Sequence, residues 1–122
     1  MSAINDSTLS LLERGLTVSL TRQNLLASNV ANLDTPGFVP ADVDFEGAMQ
    51  AASRAGANRT ARIAARHTSA SPDRAPGVDG NAVDLDVQMG RIAQNNLLYG
   101  ATTRAVSKKL ALLRYVISEG GL

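Results

Sequence analysis

The chain has 122 residues, with 12 basic and 11 acidic side chains for a formal net charge of +1, so no overall field draws it to nucleic acid or to anionic lipid. It contains no cysteine, which excludes disulfides, thiolate metal sites and a cysteine nucleophile. Hydrophobic residues make up 44% but aromatic ones only 3%, so any core must come from Leu, Val, Ile and Ala, a palette that suits helix packing better than a β-sandwich.

The stretch from Met1 to Leu12 has no basic lead and no sustained apolar run, so no cleaved secretory signal is expected. Nowhere does the sequence offer enough consecutive apolar residues for a membrane span. From Leu9, alternating steps of three and four pick out Leu12, Leu16, Ser19, Gln23, Leu26, Val30 and Leu33, a heptad seam with two polar interruptions in its middle. It predicts a helix over 8–32, roughly 37 Å long at 1.5 Å per residue. Asp6 or Ser7 is placed to cap its start, and Pro36-Gly37 to end it, because a residue before proline is pushed out of the α region. Only Gly15 opposes the helix, at about 1 kcal/mol relative to alanine.

In Phe38 to Phe45 the apolar residues Val39, Ala41, Val43 and Phe45 fall at every second position, with Pro40 inside the run, as in an extended segment or edge strand. Residues 50–76 are rich in Ala, Arg, Ser and Gly with few large apolar groups. Such a stretch is expected to be a mobile insertion, with transient helix around 59–66. His67 is the sole histidine. With no second histidine or cysteine, neither a metal site nor a Ser-His-Asp arrangement forms around it, and an exposed loop position is expected. Asp42, Asp44 and Glu46 alternate, as do Asp84 and Asp86. Paired carboxylates are what a small hydrolase would use, but these lack calcium-loop spacing and read as a solvated strand face and a helix start. Arg54, Arg59, Arg62, Arg66 and Arg74 make a basic stretch without the stacking aromatics of a nucleic-acid module.

A second seam runs through Leu85, Met89, Ile92, Asn96, Tyr99, Thr103, Val106, Leu110, Leu113 and Ile117. It predicts a helix over 84–118, roughly 52 Å long. Asn81 and Asp84 resemble a capping box, Gly120-Gly121 supplies a stop, and basic residues gather near its C-terminal end as the helix dipole favours. The fold class expected is mainly α. Long N- and C-terminal helices pack as a coiled-coil-like hairpin, seamed by Leu9, Leu12, Leu16, Leu26 and Val30 on one side and by the apolar members of the second series on the other. The polar residues Ser19, Gln23, Asn96 and Thr103 are expected to meet and fix its register.

The join between the first helix and the extended segment reads Asn29-Val30-Ala31-Asn32-Leu33-Asp34-Thr35-Pro36-Gly37-Phe38. The two asparagines can bond helix-end or turn carbonyls, Pro36 fixes its own φ, Gly37 permits a positive φ, and Phe38 adds an apolar anchor. This run resembles the N-terminal signature of bacterial flagellar rod and hook proteins, and the acidic pieces at 42–45 and 79–86 with Asn95-Asn96-Leu97-Leu98-Tyr99 resemble a proximal rod subunit. The resemblance implies an axial helix and turn over 1–37, an extended segment and flexible insertion over 38–80, and a second axial helix over 81–122. It implies a structural subunit of the basal body, without catalysis or cofactor. Export would pass through the flagellar type III apparatus without a cleaved signal, followed by assembly in the periplasmic rod with copies of itself, other rod subunits, a rod-base adaptor and the membrane-ring protein. Another proximal rod subunit, or a cytoplasmic coiled-coil adaptor or export chaperone, are the alternatives.

Overall fold

The computed structural model describes residues 2–119, with side chains from residue 7 onward. It is a mainly α hairpin. Helix α1 (Ser2–Ala31, 30 residues) and helix α4 (Leu85–Glu119, 35 residues) lie against each other. Between them come strand β1 (Ala41–Val43), helix α2 (Phe45–Ala55), a 3-10 turn (Ala57–Arg59), helix α3 (Thr60–Arg66) and strand β2 (Thr68–Ala70). Asp6 and Ser7 lie inside α1 rather than capping it, and the stop expected at Gly120-Gly121 falls outside the described residues.

The first helix works on two faces. One meets α4; the other carries Val18, which is fully buried and packs with Val43, Ala48 and Ala64, flanked by Leu25, Phe45 and Met49. Gly15 sits where both partners approach, since a Cβ there would lie 3.8 Å from Thr102 Cγ2 on α4 and 3.9 Å from Met49 Cε on α2. The residue that weakens the helix in isolation thus occupies the point where three helices converge.

Residues 50–76, expected to be a mobile insertion, instead fold. The Asp44 carboxylate caps α2 by accepting from Gly47 N at 3.1 Å, and Gly56, at φ 91°, closes it. Along α2, Ala48 and Ala52 face inward, and along α3, Thr60 and Ala64 do; all four are fully buried. Small side chains four residues apart let the helix backbones come close, so packing is supplied by short contacts rather than by large apolar groups. Counting only sizeable apolar residues misses this. His67 follows α3 half-buried, its Nδ1 2.8 Å from Ile63 O, and its own carbonyl accepts from Asp44 N at 2.9 Å.

The two strands pair antiparallel, with Ala41 opposite Ala70 and Val43 opposite Thr68. The strand is shorter than the sequence pattern suggests: Pro40 precedes it, and Asp44 ends it by capping the next helix. Because Ala48 is fully buried in this small-residue interface, Ala48→Leu should overpack it and destabilise the chain by about 1–3 kcal/mol. Thermal denaturation of the purified chain measures this, and an unchanged midpoint would mean that α2 does not pack as described.

Candidate assembly site

The turn after α1 is built by side-chain amides. Asn29, fully buried, donates from Nδ2 to Ala41 O at 2.7 Å and accepts at Oδ1 from Ala41 N at 3.2 Å. Its amide therefore pairs with both the N–H and the C=O of Ala41, as a residue of a neighbouring strand would. The same Nδ2 donates to Gln88 Oε1 at 3.0 Å, which ties the end of α1 to the start of α4. Asn32 donates to Ser28 O at 2.8 Å and accepts from Thr35 Oγ1 at 3.0 Å, satisfying a helix-end carbonyl and fixing the turn.

Pro36 lies exposed in the turn, Phe38 is half-buried, and Gly37 has φ 74°. Gly37 N donates to Asp79 O at 2.8 Å and Ala82 N to Phe38 O at 3.0 Å, so the segment before α4 runs back along this turn. A Cβ on Gly80, at φ 80°, would come within 3.2 Å of Gly37 Cα. The Gly80 turn is thus pressed against the Gly37 backbone, whereas a Cβ on Gly37 itself would meet nothing within 4 Å, so there glycine is required by the positive φ and not by space. Asn81, anticipated as a helix cap, instead donates to Asn32 O at 3.1 Å and Thr35 O at 2.8 Å. The cap is Asp84, whose Oδ1 accepts from Asp86 N at 2.9 Å.

Charges lock the middle segment to the hairpin. Arg22 on α1 grips Asp42 with two bonds, Nε to Oδ1 at 2.8 Å and Nη2 to Oδ2 at 3.0 Å. Arg91 on α4 lies 3.9 Å from Asp42 Oδ2 and 3.2 Å from Oδ1 of Asp73, whose side chain is wholly buried. Neither Arg91 contact is a directed hydrogen bond. Asp73 Oδ2 accepts from Asp84 N at 2.9 Å and from Gln88 Nε2 at 2.8 Å. Asp42, expected on a solvated strand face, is thus at the centre of the fold. Burial alone would raise its pKa, but the Arg22 hydrogen bond, the Val43 N–H and the charges of Arg22 and Arg91 outweigh it and hold the carboxyl below its ordinary 3.8.

The helix pair is registered by a second amide. Asn95, buried on α4, donates from Nδ2 to Ser19 O and to Gln23 Oε1, both at 2.9 Å. Ser19 and Gln23 are the α1 residues expected at the polar break, but their partner is Asn95 rather than Asn96, which is exposed. The line of α4 facing α1 runs through Gln88, Asn95 and Thr102, one position away from the apolar series. Of the expected seam, Leu26 is fully buried, while Leu9, Leu12, Leu16, Val30, Ile92, Val106 and Leu113 are half-buried. Leu85, Met89, Tyr99, Leu110 and Ile117 are 39–61% exposed. Among the described residues, no cluster of histidine and acids that could hold a metal ion occurs.

The family described as flagella basal body rod protein matches residues 9–38, all but the first two turns of α1 together with the turn that follows it. The flagellar basal body rod protein FlgB of Cereibacter sphaeroides is 32% identical over 115 residues, covering 85% of this chain and 88% of the relative. FlgB of Escherichia coli K12 is 29% identical over 133 aligned residues, covering 94% of this chain and 96% of the relative, and FlgB of Salmonella typhimurium is similar to the same degree.

The chain belongs to the FlgB family of flagellar basal body rod proteins. It is a structural subunit of the rod. In this FlgB-type subunit, sequence reasoning located Asn29, Asn32 and Gly37 through the turn, but missed Gln88, Asn95, Arg22, Arg91 and Asp73. Their partners lie far away in the chain, so spacing carried no signal for them.

Two measurements follow from this geometry. Asn95→Leu leaves Gln23 Oε1 without its donor, and should destabilise the hairpin by about 1–3 kcal/mol, whereas Asn96→Leu, on the solvent side, should be within about 0.5 kcal/mol of the parent; denaturant unfolding of both variants separates them. For Asp42, whose folded pKa is depressed, the stabilising contribution is complete above the ordinary carboxylate value and is lost as pH falls through it towards the folded value. Stability measured from pH 7 downwards should therefore decline below about pH 4, and Asp42→Asn should lose that component of the decline. The variant should also be weaker at pH 7 by roughly 2 kcal/mol, between the cost of breaking an exposed pair and a buried one.

Proposed function

We propose that the subunit builds the proximal rod, the part joining the membrane ring to the distal rod, by packing its α1–α4 hairpin against those of its neighbours, with the terminal helices forming the inner core of the tube. The observation that carries this is the apolar surface left on the hairpin. Leu11, Leu20, Leu97, Leu112, Tyr115 and Ile117 are 51–73% exposed, far more than a monomer in water keeps along two helices without a partner. A groove along one side, lined by Leu9, Leu16, Val106 and Leu110 and followed by Leu20 and Tyr99, supports the same reading. In it the seam residues serve both the hairpin and contacts between subunits.

The subunit performs no catalysis and takes no cofactor; its work is mechanical. It passes through the flagellar type III export apparatus without a cleaved signal and assembles on the periplasmic side, where it meets the rod-base adaptor, the membrane-ring protein and other rod subunits. No helix among the described residues is long and apolar enough to cross a membrane. The turn residues Asn29, Asn32, Thr35, Pro36, Gly37 and Phe38 set the angle at which the middle segment leaves the helical core.

Mass spectrometry of purified hook–basal bodies tests this, together with motility in a strain lacking the chain. The expected result is a stoichiometric component at the rod base and no rod in its absence. A rod built without it, and basal bodies lacking it, would overturn the proposal.

A further inference from the structure

The two-stranded sheet is covered along one edge and open along the other. Ser71 N donates to Pro40 O at 2.8 Å and Asp44 N to His67 O at 2.9 Å. With Ala41 opposite Ala70 and Val43 opposite Thr68, the alternation of an antiparallel ladder makes Asp42 and Ser69 the hydrogen-bonded pair between those two contacts. The N–H and C=O groups of Ala41, Thr68 and Ala70 therefore point outward from the sheet. Those of Ala41 are taken by Asn29. Those of Thr68 and Ala70 have no hydrogen-bond partner among the described residues, β2 pairs with β1 alone, and Ala70 is exposed. An open edge of this kind is a template for a further strand.

Charge of one sign accompanies this edge. From Gly47 to Pro72 the chain holds Arg54, Arg59, Arg62 and Arg66 and no acidic residue. All four arginines are exposed, and none takes part in the ion pairs found among the described residues. Arg59, Arg62 and Arg66, spaced three and four apart, line one side of α3 away from the buried Thr60 and Ala64. Only His67 separates Arg66 from β2. The acids that flank this stretch are engaged elsewhere: Asp42 with Arg22, Asp73 with Arg91, and Asp44 as the cap of α2. No large apolar side chain between Pro40 and Gly77 is exposed, so the face has nothing to insert into a lipid layer, and it lacks the aromatic platforms of a nucleic-acid site.

We propose that the outer edge of β2 receives an extended acidic segment of another protein, which adds to the sheet as a third strand while its carboxylates pair with the arginines of α3. Main-chain bonds to Thr68 and Ala70 fix the docking geometry. Alternate side chains of the incoming strand fall on one face, so acids at every second position present a row of negative charge. Arginine suits such a row, because its guanidinium binds a carboxylate through two parallel bonds. Charge also selects against a second copy of this chain as the occupant, since pairing β2 with β2 would bring two arginine-bearing faces together.

Fluorescence anisotropy of a short labelled peptide, with glutamate at every second position and threonine between, tests this when titrated with the purified full chain at low salt. The expected result is saturable binding that weakens about tenfold in Arg62→Gln with Arg66→Gln and is unchanged in Lys108→Gln with Lys109→Gln. Ala70→Pro removes only an outward-facing N–H, so its circular dichroism and melting should match the parent while the peptide binds severalfold more weakly. The same peptide with every backbone amide N-methylated keeps its charge but cannot donate to a strand; it should bind as weakly, a readout that needs no change in the chain. Absence of binding at low salt, equal binding of the N-methylated peptide, or binding that the arginine substitutions leave unchanged would overturn the proposal. Capture by phosphatidylglycerol vesicles through Arg62 and Arg66, with no peptide bound, would overturn it in favour of a membrane surface, and self-association lost in Ala70→Pro would overturn it in favour of a second copy.

Discussion

One side-chain amide joins three parts of this molecule. Asn29, at the last turn of α1, bonds the N–H and C=O of Ala41 and the side-chain oxygen Oε1 of Gln88. Through it the end of the first helix, the start of the strand and the start of the last helix share one point. Gln88 then passes the connection to Asp73, and Asp73 to the Asp84 backbone. A buried amide left unpaired costs far more than a paired one contributes, so a network of this kind admits one arrangement of its elements and penalises the rest.

Above this point the hairpin is held by Asn95 and by Gly15, and at its side by Arg22 and Arg91. The amide of Asn95 sets how α4 slides along α1; the small residue at Gly15 sets how close α4 and α2 come. The two arginines reach from both long helices to carboxylates of the middle segment. Ion pairs therefore tie the hairpin to β1 and to the loop before α4, apolar packing ties it to α2 and α3, and α1, which touches all of these, is the spine of the molecule.

This distribution of polarity suits a subunit that assembles. The hydrogen-bonded residues occupy the interface inside the chain, where directed bonds fix geometry. Large apolar side chains are left on the outer faces, where non-directional burial favours association with neighbours. The apolar heptad of α4 marks the boundary between these two surfaces, which explains why its members divide between half-buried and exposed positions.

Local rules reached far into the fold. The long helices, their approximate limits, the helix-to-extended corner and the positive φ of Gly37 follow from periodicity, proline and glycine, all of which act over a few residues. Family membership was carried by the same local run, from Asn29 to Phe38. Alanines four residues apart, however, are ordinary in any polar helix, and only the approach of α3 made Ala48, Ala52 and Ala64 into a core. The cap moved from Asn81 to Asp84 because Asn32 and Thr35, distant in the chain, offered Asn81 better acceptors. Asn95 instead of Asn96, and Asp42 in a half-buried ion pair instead of as a solvated acid, were likewise decided by tertiary structure: which face of an element is inside depends on what the chain brings against it.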